Sequence, residues 1–572
     1  MNEQTTNYKL RNRMLLMIMG VIVGWGVFTF LIYPNITILQ SSFFPNGELD
    51  LDPMMNVLRS KRAVTAIFNS FILAVSLVIT TNILGIFQVF VLDYFEIKGS
   101  RWLNMAYYSS LICNGIVLVT AYNFILGPRG FLTANLLQYF PDMNVNWFRG
   151  FWAVLAQMTI ANTFNHIVLV RSAMKNVDYQ TIEAARNMGV KEFRIITKVV
   201  LPQLAPALIA ASILVFLSGI SAFATPEVLG GDFETINPLI MTFSAQIGTR
   251  NYAAVLALLL AVITIIILLI FTYIEKHNIN ISVSKVKTKI KKVKIQNKTA
   301  NAIVTVMAHI IGLINVLPLL FVILFSFMNI NDLLYGVIDF RNLSFDNYIR
   351  VFESSQGLQP IFVSIVYSGL AALISVLIML VLARIITKYN HPLSQLLENL
   401  LQIPWYLPAT LIALGFVMTF NQPTVFTFGQ TLTGTTVILL IVYIILRLPT
   451  TLRMIKSGYL SVDYSLEEAA KNVGASTFST YTKVIIPIIW PTVLSTFLLS
   501  FIGMLAEYDA TVFVFHPLYQ PLGIVLKQTT EPTAPPEQQL LTYVYSVIIM
   551  IISAIAIYFV YGRNGRKNKV KA

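Results

Sequence analysis

The sequence predicts an all-α polytopic membrane protein of about 12 transmembrane helices, arranged as two tandem six-helix repeats. Three observations carry this expectation. Of the 572 residues, 56% are hydrophobic and only 12% charged, with a mean hydropathy of +0.72; soluble domains do not have that composition. About a dozen apolar stretches approach the ~20 residues that cross ~30 Å of hydrocarbon. A polar segment set between two such stretches also occurs twice, at a single offset.

Taken in order, the chain opens with Lys9, Arg11 and Arg13 ahead of an apolar run at 14–33. The run is long and no small-x-small cleavage site follows it, so it is a retained first span with its N-terminus inside rather than a signal peptide. Residues 34–62 form a polar outer segment. Spans follow near 63–92, 103–127 and 149–174, then a polar loop at 175–203, then spans near 204–224 and 252–274.

Residues 275–302 set Lys276, Lys285, Lys287, Lys289, Lys291, Lys292, Lys294 and Lys298 against a single acid, Glu275. A lysine run can be a nucleic-acid tail, but one flanked by spans marks the cytoplasmic face by the positive-inside rule. The second repeat places spans near 303–328, 361–388, 395–420 and 434–455, a polar loop at 456–488, and spans near 489–513 and 539–561. Arg563, Arg566, Lys567, Lys569 and Lys571 make the tail basic again. The expected division is therefore 1–290 with its loop 175–203, and 291–572 with its loop 456–488, both termini cytoplasmic. The net charge of +14 reflects this topology and attraction to an anionic lipid bilayer, not a nucleic-acid partner.

The duplicated segment is the most specific feature. Asp178-Tyr-Gln-Thr-Ile-Glu-Ala-Ala-Arg-Asn-Met-Gly189 runs on to Val199-Val-Leu-Pro202. Its second copy is Asp463-Tyr-Ser-Leu-Glu-Glu-Ala-Ala-Lys-Asn-Val-Gly474, ending Val484-Ile-Ile-Pro487. The differences 463−178, 474−189 and 487−202 are all 285. Each copy reads as a short helix, a glycine turn, a second helix and a proline stop. Asp178 and Asp463 suit N-cap positions, and 465–468 fits a capping box. Ala184, Ala185, Ala469 and Ala470 are small enough for close approach by another protein. Gly189 and Gly474 permit a sharp turn.

Glu-Ala-Ala, three residues, Gly, nine residues, then aliphatic-x-aliphatic-Pro resembles the cytoplasmic loop of bacterial ABC-importer permeases; the second copy has Ile486 where Leu is usual. Two copies in one chain resemble the fused double-domain permeases of the ferric-iron, thiamine, polyamine and phosphonate group. The resemblance implies that Glu183, Ala184, Ala185, Gly189, Pro202, Glu468, Ala469, Ala470, Gly474 and Pro487 form ATPase-coupling loops. It further implies two copies of a cytoplasmic ABC ATPase subunit, an extracytoplasmic substrate-binding protein and a place in the bacterial cytoplasmic membrane. Within the group the 500–513 region is most similar to the ferric-iron branch, departing from it at Tyr508-Asp509.

The chain has no G-x-x-x-x-G-K-[ST] phosphate loop. It is expected to be a transport subunit and not an enzyme, with no cofactor of its own; ATP and Mg would be used by the partner subunits. Five scattered histidines and the lone Cys113 give no metal site and no internal disulfide. Polar residues within spans are costly and tend to face the bundle interior. Gln157, Asn162, Asn165 and His166 lie in span four, and Asn69, Asn82 and Gln88 in span two. Glu507 and Asp509 lie near the outer end of span eleven, where they suit a cation or a hard metal ion, or else the headgroup zone. Asn162, Asn165, His166, Glu507 and Asp509 are the candidate translocation residues, although amides more often bridge helices than bind solute. Arg384 and Arg447 read as interfacial anchors near cytoplasmic ends. Segments 225–231 and 515–522 resemble the external gate loops of the same permeases. A gradient-driven carrier is the competing class, but twin docking loops would have no purpose there. A membrane enzyme would need a catalytic cluster that the chain lacks.

Overall fold

The computed structural model describes residues 20–44, 47–112, 115–278, 291–389, 391–531 and 533–562. The early basic residues Lys9, Arg11 and Arg13, Cys113, Lys285, Lys287 and Lys289 of the linker, and the basic tail from Arg563 lie outside the described residues. Among the described residues no strand forms, and eleven helices are long and apolar enough to cross a membrane. A twelfth apolar helix, Ala409–Phe420, is shorter.

In the first repeat the spans are α1 (Gly20–Phe43) and α2 (Lys61–Tyr94), then α3 (Ser100–Tyr108) with α4 (Gly115–Tyr139), then α5 (Phe151–Met174). A loop helix α6 (Tyr179–Asn187) leads to α7 (Glu192–Ile220), a short outer helix α8 (Ala224–Leu229) and α9 (Arg250–Phe271). The second repeat runs α10 (Lys298–Phe325), α11 (Ser355–Lys388), α12 (Pro392–Leu401), α13 (Ala409–Phe420) and α14 (Thr436–Leu460). Its loop helix α15 (Tyr464–Asn472) leads to α16 (Thr477–Leu505), the outer helices α17 (Thr511–Val514) and α18 (Leu522–Gln528), and α19 (Pro536–Val560).

Three departures from the sequence expectation have local causes. The first span does not stop at residue 33. A π turn at Phe28–Ile32 seats Pro34, and the helix continues to Phe43. The polar side chains that made 34–43 read as a loop bond to their own helix: Asn35 Nδ2 to the Leu31 carbonyl at 2.7 Å, and Thr37 Oγ1 to Tyr33 at 3.0 Å. The third and ninth spans are each broken rather than continuous. In the ninth, Pro404 and Pro408 supply no N–H, and Pro408 takes an extended ψ of 143° before α13 restarts,. Lastly, Pro202 and Pro487 do not stop a helix. Each follows a five-residue π turn, Ile196–Val200 or Tyr481–Ile485. The wider turn relieves the clash and missing bond that proline imposes, so α7 and α16 run straight through.

The repeats interlock through their first spans. Val27 and Leu31 of α1 join the core formed by α11, α13, α14 and α16. A Cβ added at Gly415 would stand 2.9 Å from Ile38 and 3.4 Å from Pro34, which shows how near α1 lies to α13. Reciprocally, α10 packs on α3, where a Cβ at Gly312 would stand 3.3 Å from Leu103, and Tyr107 donates to the Ala308 carbonyl at 2.9 Å. Small residues at helix contacts are what lipid-embedded packing requires, since hydrocarbon offers no hydrophobic drive between helices. The end of the linker pairs with the end of α2: Val293 N donates to Tyr94 O at 2.8 Å, and Glu96 N to Val293 O at 2.9 Å. Tyr94 in turn bonds to Glu192 at the start of α7. Linker, α2 terminus and first polar loop therefore share one face.

Candidate functional site

The two polar loops fold alike. Asp178 caps α6, accepting from Gln180 N at 2.9 Å and from the Thr181 hydroxyl at 2.8 Å. Asp463 caps α15 through Ser465 N at 2.9 Å. Because α15 starts beneath Asp463, Ser465 already lies in the first turn, and the capping box expected at 465–468 does not form. Gly189 and Gly474 end their helices at φ +76° and +81°, with open space where a Cβ would go. Both glycines are thus required by backbone conformation and not by crowding.

The motif residues face outward. Glu183, Ala184, Glu468 and Ala469 are exposed, Ala185 and Ala470 half-buried, and Pro202 and Pro487 exposed at the start of the following span. Phe193 and Phe478, again 285 apart, are each 76% exposed, beside exposed Met188 and Val473. Matched aromatic side chains left uncovered on a polar loop form a paired surface suited to a partner.

The ties behind these surfaces differ. In the first loop Arg186 and Glu192 form an ion pair at 3.0 Å, and that hydrogen bond holds the guanidinium above its usual pKa. In the second, buried Glu467 meets Arg384 and also Lys388 at 2.7 Å. Burial works against the charged carboxylate, but the hydrogen bonds from Lys388 and Arg384 outweigh it and hold Glu467 below its ordinary range,. Arg384 is thus fixed by an ion pair and does not snorkel.

Between the repeats lies a cavity of about 260 Å³. Gln157, Asn162, Ser218, Ser221 and Thr225 line it from the first repeat, and Glu507, Tyr508 and Asp509 from the second. Its two walls are the same segment of each repeat, since Ala222 and Glu507, and Ala224 and Asp509, differ by 285. The structure therefore brings Asn162, Glu507 and Asp509 to one space. Asn165 and His166 do not line it. Asn165 bonds to the Asn162 carbonyl at 3.3 Å, and His166 meets Asn82 at 3.1 Å while resting on Gly85, where a Cβ would come within 2.4 Å of the ring. His166 is a helix-packing residue between α5 and α2.

Glu507 is also engaged. Its carboxylate accepts from Ala510 N at 2.8 Å, Thr511 N at 3.0 Å and the Thr511 hydroxyl, capping α17. Among the described residues no three of His, Cys, Asp or Glu gather as metal ligands. Arg447, read from sequence as an interfacial anchor, instead lies mid-helix in α14 and donates to the Gly503 carbonyl at 3.1 Å. It faces the Glu507 region because Gly503 has no side chain to occupy that space. One signal could have found it: Arg447 is the 285-offset counterpart of Asn162. Sequence reasoning also missed Glu227 on α8, which accepts from Tyr508 at 2.8 Å and pairs with Lys527 at 2.9 Å across the repeats.

Comparison with known proteins agrees with this anatomy. The family described as binding-protein-dependent transport system inner membrane component matches residues 7–279 and again 375–567. The chain is 32% identical over 539 residues to a probable ABC transporter permease protein, y4fN, of Sinorhizobium fredii, covering 94% of both chains. It is 23% identical over 504 residues to the ferric transport system permease protein FbpB of Actinobacillus pleuropneumoniae, covering 85% of this chain and 70% of the relative. A putative 2-aminoethylphosphonate transport system permease protein, PhnU, of Salmonella typhimurium is 26% identical over 227 residues, 38% of this chain and 77% of that one. With two matched copies, twin loops and interlocked six-helix repeats, this chain belongs to the inner-membrane component family of binding-protein-dependent ABC transport systems, as a fused double-domain permease.

Proposed function

We propose that this chain is the membrane-spanning permease subunit of an ATP-driven importer, with α6 and α15 each docking one ATPase subunit. Solute from an extracytoplasmic binding protein enters the cavity between the repeats and is released by alternating access. The observation that carries this reading is the pair of outward-facing helix–glycine–helix loops at one offset, each presenting Glu-Ala-Ala and an uncovered phenylalanine. ATP and Mg belong to the partner subunits. Both termini lie with the docking loops on the cytoplasmic face.

Ferric iron is the substrate we favour. In support, the ferric permease relative aligns over 85% of this chain, and oxygen-bearing side chains line the cavity, which suits a hard cation or its chelate. Aminoethylphosphonate is the alternative with a relative behind it. Purification from native membranes followed by native mass measurement tests the assembly. One copy of this chain with two ATPase subunits is expected, and two copies per complex would overturn it. Uptake of ferric iron against aminoethylphosphonate, in cells with and without the chain, decides the substrate.

A further inference from the structure

The two coupling helices differ at one buried position. Ile182 of α6 and Glu467 of α15 are 285 apart, and both are almost fully buried. Ile182 makes an apolar, non-directional contact, whereas Glu467 gathers Arg384, Lys388 and, more distantly at 3.6 Å, Lys471. Arg384 also lies over the Tyr459 ring, 5.6 Å from its centroid. The Tyr459 and Tyr481 phenols meet at 2.7 Å, and both bond to the Leu380 carbonyl. One carboxylate on α15 thereby gathers the inner ends of α11, α14 and α16. Among the described residues the first loop has no equivalent; its tie runs from Tyr94 through Glu192 to Arg186, and the last two are each about a third exposed.

The outer ends of the corresponding spans, in contrast, match. Ser70 of α2 accepts from Ile236 N at 2.9 Å, and Ser364 of α11 accepts from Leu522 N at 2.7 Å. Leu522 opens α18, which carries Lys527 and so reaches Glu227 of the other repeat. A continuous rigid route therefore runs from α15 through α11 to the outer contact between repeats. Its first joint is a buried ion cluster in the second repeat; in the first it is the apolar Ile182 contact with the partly exposed Arg186–Glu192–Tyr94 tie beside it. Sliding an apolar contact costs little direction-dependent energy, whereas moving Glu467 off its cations leaves buried charge uncompensated.

We infer that Glu467 is a positioning residue that makes the second coupling loop the stiff linkage between ATPase movement and the outer contact, while the first loop yields. The inference rests on the importer reading given above. It is tested on the complex with its ATPase partner in nanodiscs, with Cys113 replaced by Ala and spin labels at Asp232→Cys and Leu518→Cys. ATP with vanadate should change the label separation in the parent protein. Glu467→Gln should lose at least about half of that change while ATP hydrolysis stays within about twofold, and Glu467→Asp should retain it. An unaltered change in Glu467→Gln overturns the inference. If that variant does not assemble, hydrogen exchange on the unmutated chain decides: α15 amides should exchange at least about tenfold more slowly than those of α6. Equal exchange overturns it. A parent chain that binds no ATPase would instead defeat the importer reading, a separate outcome.

Discussion

The Lys527 ammonium stands 2.9 Å from the Glu227 carboxylate, two residues 300 positions apart (527−227) that join the short outer helices of the two repeats. Tyr508 holds the other Glu227 oxygen at 2.8 Å. Both charged side chains are mostly buried; Lys527 is held as well by Glu531 at 2.8 Å within its own repeat, so removing the Glu227 charge breaks only the link between repeats. Glu227→Gln should loosen the outer contact. In a background without Cys113, a Thr225→Cys thiol in the cavity wall should then react several-fold faster with an impermeant maleimide added outside. An unchanged labelling rate would show that this pair does not close the cavity.

Gly189 and Gly474 have free space around them, so a substitution there is penalised only by backbone conformation. Valine at either left-handed position should cost ~1–2 kcal/mol. The double change Gly189→Val with Gly474→Val should abolish uptake at normal membrane levels, checked by blot, and one change alone should impair it less. Normal uptake by the double variant would reduce the loops to connectors.

Arg447 and Gly503 are fitted to each other. A Cβ on residue 503 would stand 2.5 Å from the guanidinium. Gly503→Ala should therefore push Arg447 out of place and cost ~1–3 kcal/mol as overpacking, read as a lower melting temperature in detergent. Glycine to alanine at Gly369, which has nothing within 4 Å, is the matched control and should not lower it.

The ion cluster at Glu467 gives a pH dependence of definite sign. Its folded pKa lies below the unfolded value, so its stabilisation is fully present above the ordinary carboxylate range and is lost as pH falls through the lowered pKa,. Glu467→Gln should lower the melting temperature at pH ~7, and the gap from the parent should narrow as the buffer is taken below pH ~4. A gap that widens in acid would contradict the assignment.

Reporter fusions at residues 290 and 565 should read cytoplasmic, and those at 46 and 530 external. An external signal at 290 would break the twelve-span arrangement.

Much of this architecture was legible because duplication leaves arithmetic behind. The offset of 285 identified both loops, their N-cap aspartates and their glycine turns before any coordinates. Carried further, it would have paired Asn162 with Arg447 and Ile182 with Glu467. What stayed hidden depends on direction and distance. Apolar runs such as 395–420 conceal the Pro404 and Pro408 breaks, because hydropathy averages over residues that hydrogen-bond differently. Asn35 and Thr37 read as loop residues because their bonds to their own helix are invisible in composition. Glu227 and Lys527 look like ordinary charges until the fold brings them together. Glu507 read either as a cation ligand or as a charge in the headgroup zone, yet its oxygens accept from the N-terminus of α17.

The exchange of first spans also sets a timetable for making the protein. Helix α1 rests on α13, whose last residue, Phe420, is translated 377 residues after Phe43 (420−43). At ~5–20 residues per second, the ribosome needs about 20–75 s to deliver that surface. Until then α1 can pack only on its own repeat, where Ile38 joins the core of α2 and α9, and its face toward α13 stays open to lipid. It is equipped for the wait: Asn35, Thr37 and Ser41 bond to carbonyls of their own helix, leaving fewer polar groups for a chaperone or a wrong helix to capture.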